Sequence, residues 1–261
     1  MLKITATNLY GNTLQVTQNS LFRTVAAGLD QPTAAVFLAD LATKDGSIFN
    51  SSKLNNRNVI LTIWPNGYGV EAARHELYKI FKSSRYVRLD VETGTRACWC
   101  EGYIESAPSD FDSPAQEMQI SIICPDPFLR AKTPVTAAVA AAATPVTIVN
   151  SGDFDCGAEY TITATGACTG LSITNATTGQ TFGINITMAA GDSLKLTTVR
   201  GSLSLTYTAS GHEPVNILNL MTEGSEWPML NPGNNSVSFN AAEGGANASM
   251  SVSFTPLYGG I

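Results

Sequence analysis

The sequence predicts a mainly β protein with a single α-helix, laid out as two consecutive halves. Three observations carry this. Short runs of period-two alternation recur along most of the chain. One stretch alone has helical spacing. Composition and charge change abruptly after "SIICPDPFLR" (121–130), where two prolines flank an aspartate.

In chain order, "NVILTIW" (58–64) is a β-branched apolar run stopped by the turn signal "PNGYG". "VEAARHELYKIFKSS" (70–84) sets Val70, Ala73, Leu77, Ile80 and Phe81 on one stripe, with Glu71, His75, Lys79 and Lys82 opposite. That is an amphipathic helix packed on a sheet face. "YVRLDVE" (86–92) places Val87, Leu89 and Val91 on one side. "MQISIIC" (118–124) does the same with Met118, Ile120, Ile122 and Cys124. "CPDPF" then ends the strand, because proline cannot donate to a ladder and biases its predecessor toward extended backbone. "AKTPVTAAVAAAATPVT" (131–147) reads as a strand-and-linker piece between domains. Beyond it come "EYTITAT", "GLSITNATTGQ", "TFGINITMAAGD", "SLKLTTV", "RGSLSLTYTA", "NSVSFNA" and "SMSVSFTPL", short runs with Gly, Asn or Asp turns between them. Turn signals at that spacing predict an all-β sandwich or jelly roll.

Charged residues are only 14% of the 261, against a usual ~25%. The first 133 residues balance 13 Lys/Arg against 13 Asp/Glu. The remainder has Lys195 and Arg200 against eight acids, which gives the net charge of −6. Nucleic-acid binding requires a cationic surplus to displace phosphate counterions, so a chain that grips DNA is not expected. No apolar run approaches the ~20 residues of a membrane span, and no signal-peptide pattern opens the sequence. The five cysteines are an odd number, which fits a reducing compartment. We therefore expect synthesis in a cytoplasm. The N-x-S/T triplets at Asn175, Asn185 and Asn247 then read as chance matches.

The motifs that could carry chemistry each have a plainer reading. "GDSL" (191–194) spells a serine-esterase signature in which Ser193 would need a base. The only later histidine is His212, with Ala209 where an aspartate is wanted. A Gly-Asp turn entering a strand explains it better. Cys98 and Cys100 share one strand face with Ile104, and no second pair at zinc spacing exists, so buried packing is expected. His75 falls on the solvated face of the helix and His212 in a turn. Glu101 and Glu105 read as surface carboxylates. The expected lists of catalytic, cofactor and metal residues are therefore empty. Trp227, in "WPMLNPGNNSVSF" (227–239), is a candidate glycan contact. Its competing role is to anchor a strand crossover.

Several longer phrases occur in a specific order. They are "HELYKIFKSSRYVRLDV" (75–91), "EGYIESAP" (101–108), "SIICPDPFLR", "VNSGDFDCGAEYTITATG" (149–166), "ITNATTGQTFGINITMAAGDSLKLTT" (173–198), "LNPGNNSVSF" (230–239) and "PLYGGI" (256–261). In that order the chain resembles the distal tail protein family of tailed bacteriophages. The resemblance implies a β-sandwich-like, ring-forming belt domain over 1–133 that carries the helix. A linker or crossover over 134–147 and a galectin-like β-sandwich over 148–261 would follow. It implies a hexameric, non-enzymatic ring at the tail tip of the virion, without a cofactor or membrane insertion. Its partners would be the tail tube protein, the tail-associated hub or lysin protein and, in many members, a receptor-binding protein, with DNA passing through the channel. The strands "NVILTIW" and "YVRLDVE" are the candidate ring edges. A host-surface carbohydrate-binding tail module is the alternative function.

Overall fold

Alternation along the chain becomes alternating burial in the computed structural model, which describes residues 2–66, 69–109, 116–139 and 142–261. The chain forms two units, Met1–Lys132 with Tyr258–Ile261 and Thr133–Leu257.

The first unit contains β1 (Lys3–Asn8), β2 (Thr13–Gln15), β3 (Phe22–Ala27), β4 (Ala34–Asp40), β5 (Ser47–Leu54) and β6 (Arg57–Pro65). Helix α1 (Val70–Ile80), β7 (Tyr86–Glu92), β8 (Ala97–Ser106), β9 (Met118–Cys124) and β10 (Leu129–Ala131) follow. The main sheet runs β2-β1-β7-β8-β9-β6-β3, with β10 also paired to β8. Its described pairings are antiparallel. Ile4, Leu61, Ile63, Leu89, Ile104 and Ile120 are fully buried on one side of it.

The helix buries Ala73, Leu77 and Ile80, as its stripe predicts, but it stops at Ile80 and not at Ser84. Phe81 turns extended and is buried. Ser84 takes a left-handed φ of 61° and donates its N–H to the Ile104 carbonyl. Tertiary bonding thus takes over the last turn of the periodic stretch. The expected turn at "PNGYG" lies partly outside the described residues.

The ring-edge expectation needs a correction. The strand holding "NVILTIW" lies between β9 and β3, and the one holding "YVRLDVE" between β1 and β8. Both are interior. The ends of the sheet path are β2 and β3. A strand's own pattern records which of its faces is buried, but not how many neighbours it has. Strands β4 and β5 stand apart as a two-stranded hairpin.

The second unit contains β11 (Val135–Val139), β12 (Val146–Asn150), β13 (Ala158–Ala164), β14 (Cys168–Asn175), β15 (Gln180–Met188), β16 (Ser193–Thr197), β17 (Ser204–Thr208), β18 (Val215–Asn216), β19 (Gly233–Glu243) and β20 (Ala248–Phe254). Two sheets form, β11-β20-β13-β16-β17-β18 and β12-β19-β14-β15. Their inward side chains share one core around Tyr160, Ile162, Leu171, Ile173, Phe182, Leu194, Val237 and Phe239. This is the antiparallel sandwich that the turn spacing predicts.

The stretch 134–147 holds strand β11, in keeping with its strand-and-linker reading, and the five residues of that strand pair with Met250–Phe254 of β20. One part of the expected layout changes. Tyr258–Ile261 belong to the first unit and not to the second. The reason for that return is a buried cation, described next.

Candidate assembly interface

Arg57 opens β6 and is 3% exposed. Its guanidinium makes four hydrogen bonds, all to backbone carbonyls. Nε donates to Pro127 O at 2.9 Å, Nη1 to Gly28 O and Asp30 O at 2.7 Å each, and Nη2 to Gly259 O at 2.6 Å. Three segments distant in sequence are thereby tied to one rigid fork, a geometry that lysine cannot reproduce. Burial lowers the Arg57 pKa from its ordinary value. Arginine keeps its charge all the same, since its unperturbed pKa is so high.

The opening "CPDPF" motif is part of this clamp. Asp126 accepts the Phe128 N–H at 3.1 Å and receives Arg130 through Nε at 3.1 Å and Nη2 at 2.7 Å. That turn leaves the Pro127 carbonyl free for Arg57. Gly28 is the matching piece on the other side. Its φ is +81°, and a Cβ there would sit 1.9 Å from the Asn58 carbonyl oxygen, so only glycine fits. The tail is fastened further by Arg96 Nη1 donating to Gly260 O at 2.5 Å and by Ile261 N–H donating to Leu29 O at 3.2 Å. The Arg96 guanidinium also lies 4.5 Å from the Tyr258 ring centroid.

The clamp anchors both flanks of the β4–β5 hairpin, Gly28 and Asp30 before it and Arg57 after it. The hairpin itself is the most apolar exposed element of the unit. Val36, Leu38, Ile48 and Phe49 are 56%, 57%, 55% and 59% exposed, and Phe37 is exposed as well. Register puts Leu38 opposite Phe49 and Ala39 opposite Ile48. Val36, Leu38 and Phe49 therefore share one face, while Phe37, Ala39 and Ile48 share the other. An isolated two-stranded hairpin is marginal in water, and one with apolar side chains on both faces is poorly suited to remain solvated. Its charges, Asp40, Lys44, Asp45 and Lys53, sum to zero.

The other candidate residues take quieter positions. Ser193 begins β16, and the "GDSL" turn is organised by its aspartate. Asp192 is 4% exposed and accepts from Tyr207 OH at 2.5 Å, Ala189 N at 2.8 Å and Ser210 N at 3.0 Å. The Tyr207 hydroxyl and the two backbone donors hold its pKa below the ordinary value. His212 is exposed, with Nδ1 3.0 Å from the Ser210 carbonyl. His75 is exposed on the helix. Glu101 and Glu105 are both exposed and accept from Tyr86 OH and Ser121 Oγ, each at 2.8 Å. Burial first, and the bond to Glu101 second, push the Tyr86 pKa up to about 12.

Cys98 and Cys100 are buried in the first core with Cys124. Burial raises the Cys98 thiol to about 11. A bond to Cys124, together with burial, raises Cys100. Among the described residues no three His, Cys, Asp or Glu side chains converge as a metal cluster. All five cysteines are unpaired and buried.

Trp227 is half-buried against the second core, its ring 4.8 Å from that of Phe182. Its neighbours hold the same segment in place. Tyr160 OH and Thr198 Oγ1 each lie 3.1 Å from the Pro228 carbonyl oxygen, and Asn175 Nδ2 donates to Met229 O at 2.7 Å. An open groove of about 410 Å³ runs beside β15, lined by Gly170–Ser172, Thr181, Gly183–Asn185 and Thr222–Ser225. Trp227 is not among its lining residues.

Comparison with known proteins gives three findings. Residues 151–258 match the family model of the siphovirus-type tail component, C-terminal domain. The whole chain is similar to the crystal structure of the Dit protein of phage SPP1, described as a paradigm of the hub adsorption apparatus in phages infecting Gram-positive bacteria. Identity there is 15% and the TM-score 0.72, over 97% of this chain and 98% of that one. A chain of the phage p2 baseplate, in its activated conformation with strontium, is similar at 8% identity and a TM-score of 0.50 over 100% of both chains. Among proteins with curated descriptions, none matches the sequence.

Proposed function

We propose that this chain is a non-enzymatic structural hub of the tail tip, a member of the distal tail family of siphovirus-type phages, a reading supported by the match of residues 151–258 to the family model of the siphovirus-type tail component. In this reading six copies close into a ring through their first units, around a channel that DNA crosses. The ring joins the tail tube protein to the tail-associated hub protein and, where one is carried, to a receptor-binding protein. The second unit is a galectin-like sandwich at the periphery, and the assembled protein resides in the virion.

The observation that carries this reading is the β4–β5 hairpin, apolar on both faces and exposed in the single chain. Such an element gains most when another surface covers it. Charge supports the same arrangement. The first unit, with 13 cations and 13 anions over residues 1–133, offers no net attraction that would hold DNA in a channel. Cyclic closure is the usual symmetry of a head-to-tail assembly that ends in a ring.

Light scattering on the purified protein, followed by negative-stain imaging, tests the proposal. The expected result is a mass near six chains and annular particles. A monomer at every concentration would overturn self-assembly into a ring.

A further inference from the structure

The two sheets of the second unit meet solvent with different chemistry. The outward face of the six-stranded sheet carries the ion pair Lys195–Glu159, at 2.8 Å. The four-stranded sheet has no charge at its outward positions over the three strands β19, β14 and β15. These are Asn or Ser from Asn234 to Asn240, then Ser172 and Thr174, then Thr181, Gly183 and Asn185. Exposed surface ordinarily holds ~25–35% charged residues. Register lines up Asn240, Ser172 and Gly183 across the three strands. Where Gly183 leaves that row without a side chain, the segment 222–226 comes back against β15. Thr222 N–H donates to Gly183 O at 3.0 Å, Glu226 N–H to Thr181 O at 2.8 Å, and Gly183 N–H to Ser225 Oγ at 3.0 Å. A Cβ on Gly183 would lie 2.2 Å from Thr222 Oγ1, so the glycine leaves room for that hydroxyl. The segment is thereby a fixed wall of the groove of about 410 Å³, whose floor is β14 and β15. That volume is within the ~300–1,000 Å³ of small-ligand clefts. Ser172, Asn185 and Glu223 line the groove and make no side-chain hydrogen bond or ion pair among the described residues.

We propose that this groove binds an uncharged glycan, a short run of neutral sugars held by Ser172, Asn185 and Glu223. Three arguments favour that ligand. Hydroxyls and amides both donate and accept, so they pair with sugar hydroxyls in either sense. Glu223 is the one ionisable residue of the lining, and a carboxylate accepts from two neighbouring hydroxyls at once. The groove has no cation for a phosphate or a uronate. Lys195 and Arg200 are the only cations of residues 134–261, and neither lines it. An anionic polymer is therefore repelled by Glu223 and a neutral one is not. No aromatic ring lines the groove either, so recognition rests on hydrogen bonds and not on stacking. The site is separate from Trp227, whose ring is turned to Phe182. It lies within one unit and stands independently of the ring reading. A ring would add avidity, by presenting one weak site per copy.

The test is an NMR titration of the full chain with a panel of neutral oligosaccharides of glucose, galactose, mannose, rhamnose and N-acetylhexosamines. Oligogalacturonate is the anionic comparison. At least one neutral member is expected to bind with a Kd on the order of 1 mM, and oligogalacturonate more weakly. Glu223→Ala should weaken that binding about tenfold, and Ser172→Ala and Asn185→Ala about threefold each. Trp227→Phe should leave it unchanged. Glu223 and Asn185 are exposed and Ser172 is half-buried, so the three variants should melt with the wild type and the losses report on the site. Four results overturn the assignment. They are no neutral member binding at about 10 mM, oligogalacturonate binding more tightly than any of them, affinity unmoved by the three groove variants, or affinity lost in Trp227→Phe. None of these touches the oligomeric state, so the ring reading is judged separately by light scattering.

Discussion

The two units solve the same problem, fastening irregular chain inside a β fold, with opposite polar chemistry. The first uses a buried cation. Arg57 gathers carbonyls from the β3–β4 connection, the "PDPF" turn and the chain end. The second uses neutral amides. Asn175 Nδ2 reaches Met229 O and the Asn235 Oδ1, Asn235 Nδ2 reaches Asn231 O and Gly233 O, and Asn150 Nδ2 reaches Phe154 O and Leu230 O. Asn150, Asn175 and Asn235 are all essentially unexposed. A guanidinium concentrates four bonds on one side chain, so losing it releases several segments at once. The amides share the same duty among three residues, so each loss is local. The difference tracks the exposed surface. The unit that holds its loops with one charge is also the unit that projects an apolar hairpin from them, and a stiff base is what such an arm requires.

The sharpest way to break the comparison is to remove the cation. Arg57→Met should destabilise the first unit by about 3–5 kcal/mol, because four carbonyl acceptors, one buried and three part-buried, lose a charged donor together. Arg57→Lys should recover less than half of that, since one ammonium cannot span the fork. Urea unfolding followed by tryptophan fluorescence reads this, with Trp64 and Trp99 in the first unit and Trp227 in the second. An equal loss in both units would mean that the clamp is not local.

The second unit responds to packing and to its amides. Trp227→Ala should cost it about 2–3 kcal/mol by opening space against Phe182, and Trp227→Phe should regain most of that. The same variant examines the carbohydrate alternative. Glycan binding lost in Trp227→Phe at unchanged stability would give the ring a surface role that its stacking on Phe182 does not require. Asn175→Ala should cost about 2 kcal/mol, by orphaning the Met229 carbonyl and the Thr177 N–H. Thermal melts of the three variants, compared with Arg57→Met, would show whether amides and cation differ as sharply as their geometry does.

How much of this the sequence carried depends on the range of the interaction. The helix stripe, the alternation of β7 and β9 and the sandwich strands of the second half were legible, because each is a local pattern read against one buried face. The stop at "CPDPF" was legible as a boundary. Its partner was not, because nothing near Arg57 marks it as different from a surface arginine. Its acceptors are backbone carbonyls, which have no sequence signature. The return of Tyr258–Ile261 to the first unit was hidden for the same reason. Edge strands are not legible in the sequence, because edge status belongs to the sheet order and not to the strand. The hairpin is not legible either, because "AAVFLAD" is apolar on both faces and "SIFNSSKL" places Ile48 and Phe49 side by side in a polar run, so neither gives the one-sided alternation that marks a half-buried strand. Asn175 shows the reverse case. Its N-x-T triplet reads as a chance match that carries no structural signal, and the residue is wholly buried.

The smallest expected effect concerns Asp192, the one charged group among the described buried side chains of the second unit. Its folded pKa is depressed, first by the Tyr207 hydroxyl and then by the Ala189 and Ser210 N–H groups. A depressed carboxylate contributes stability that is fully present above its unfolded pKa of about 4 and is lost as pH falls through the folded value. The second unit should therefore keep its melting temperature from pH 7 to near pH 5 and lose it progressively in more acidic solution. Asp192→Asn should lower stability at pH 7 and flatten the acid limb, because an amide accepts at one oxygen and does not titrate. Tyr207→Phe should flatten the limb only in part, since the two backbone donors remain. Melting curves from pH 3 to 7 decide this. An acid limb that persists unchanged in Asp192→Asn would assign the titration to other carboxylates.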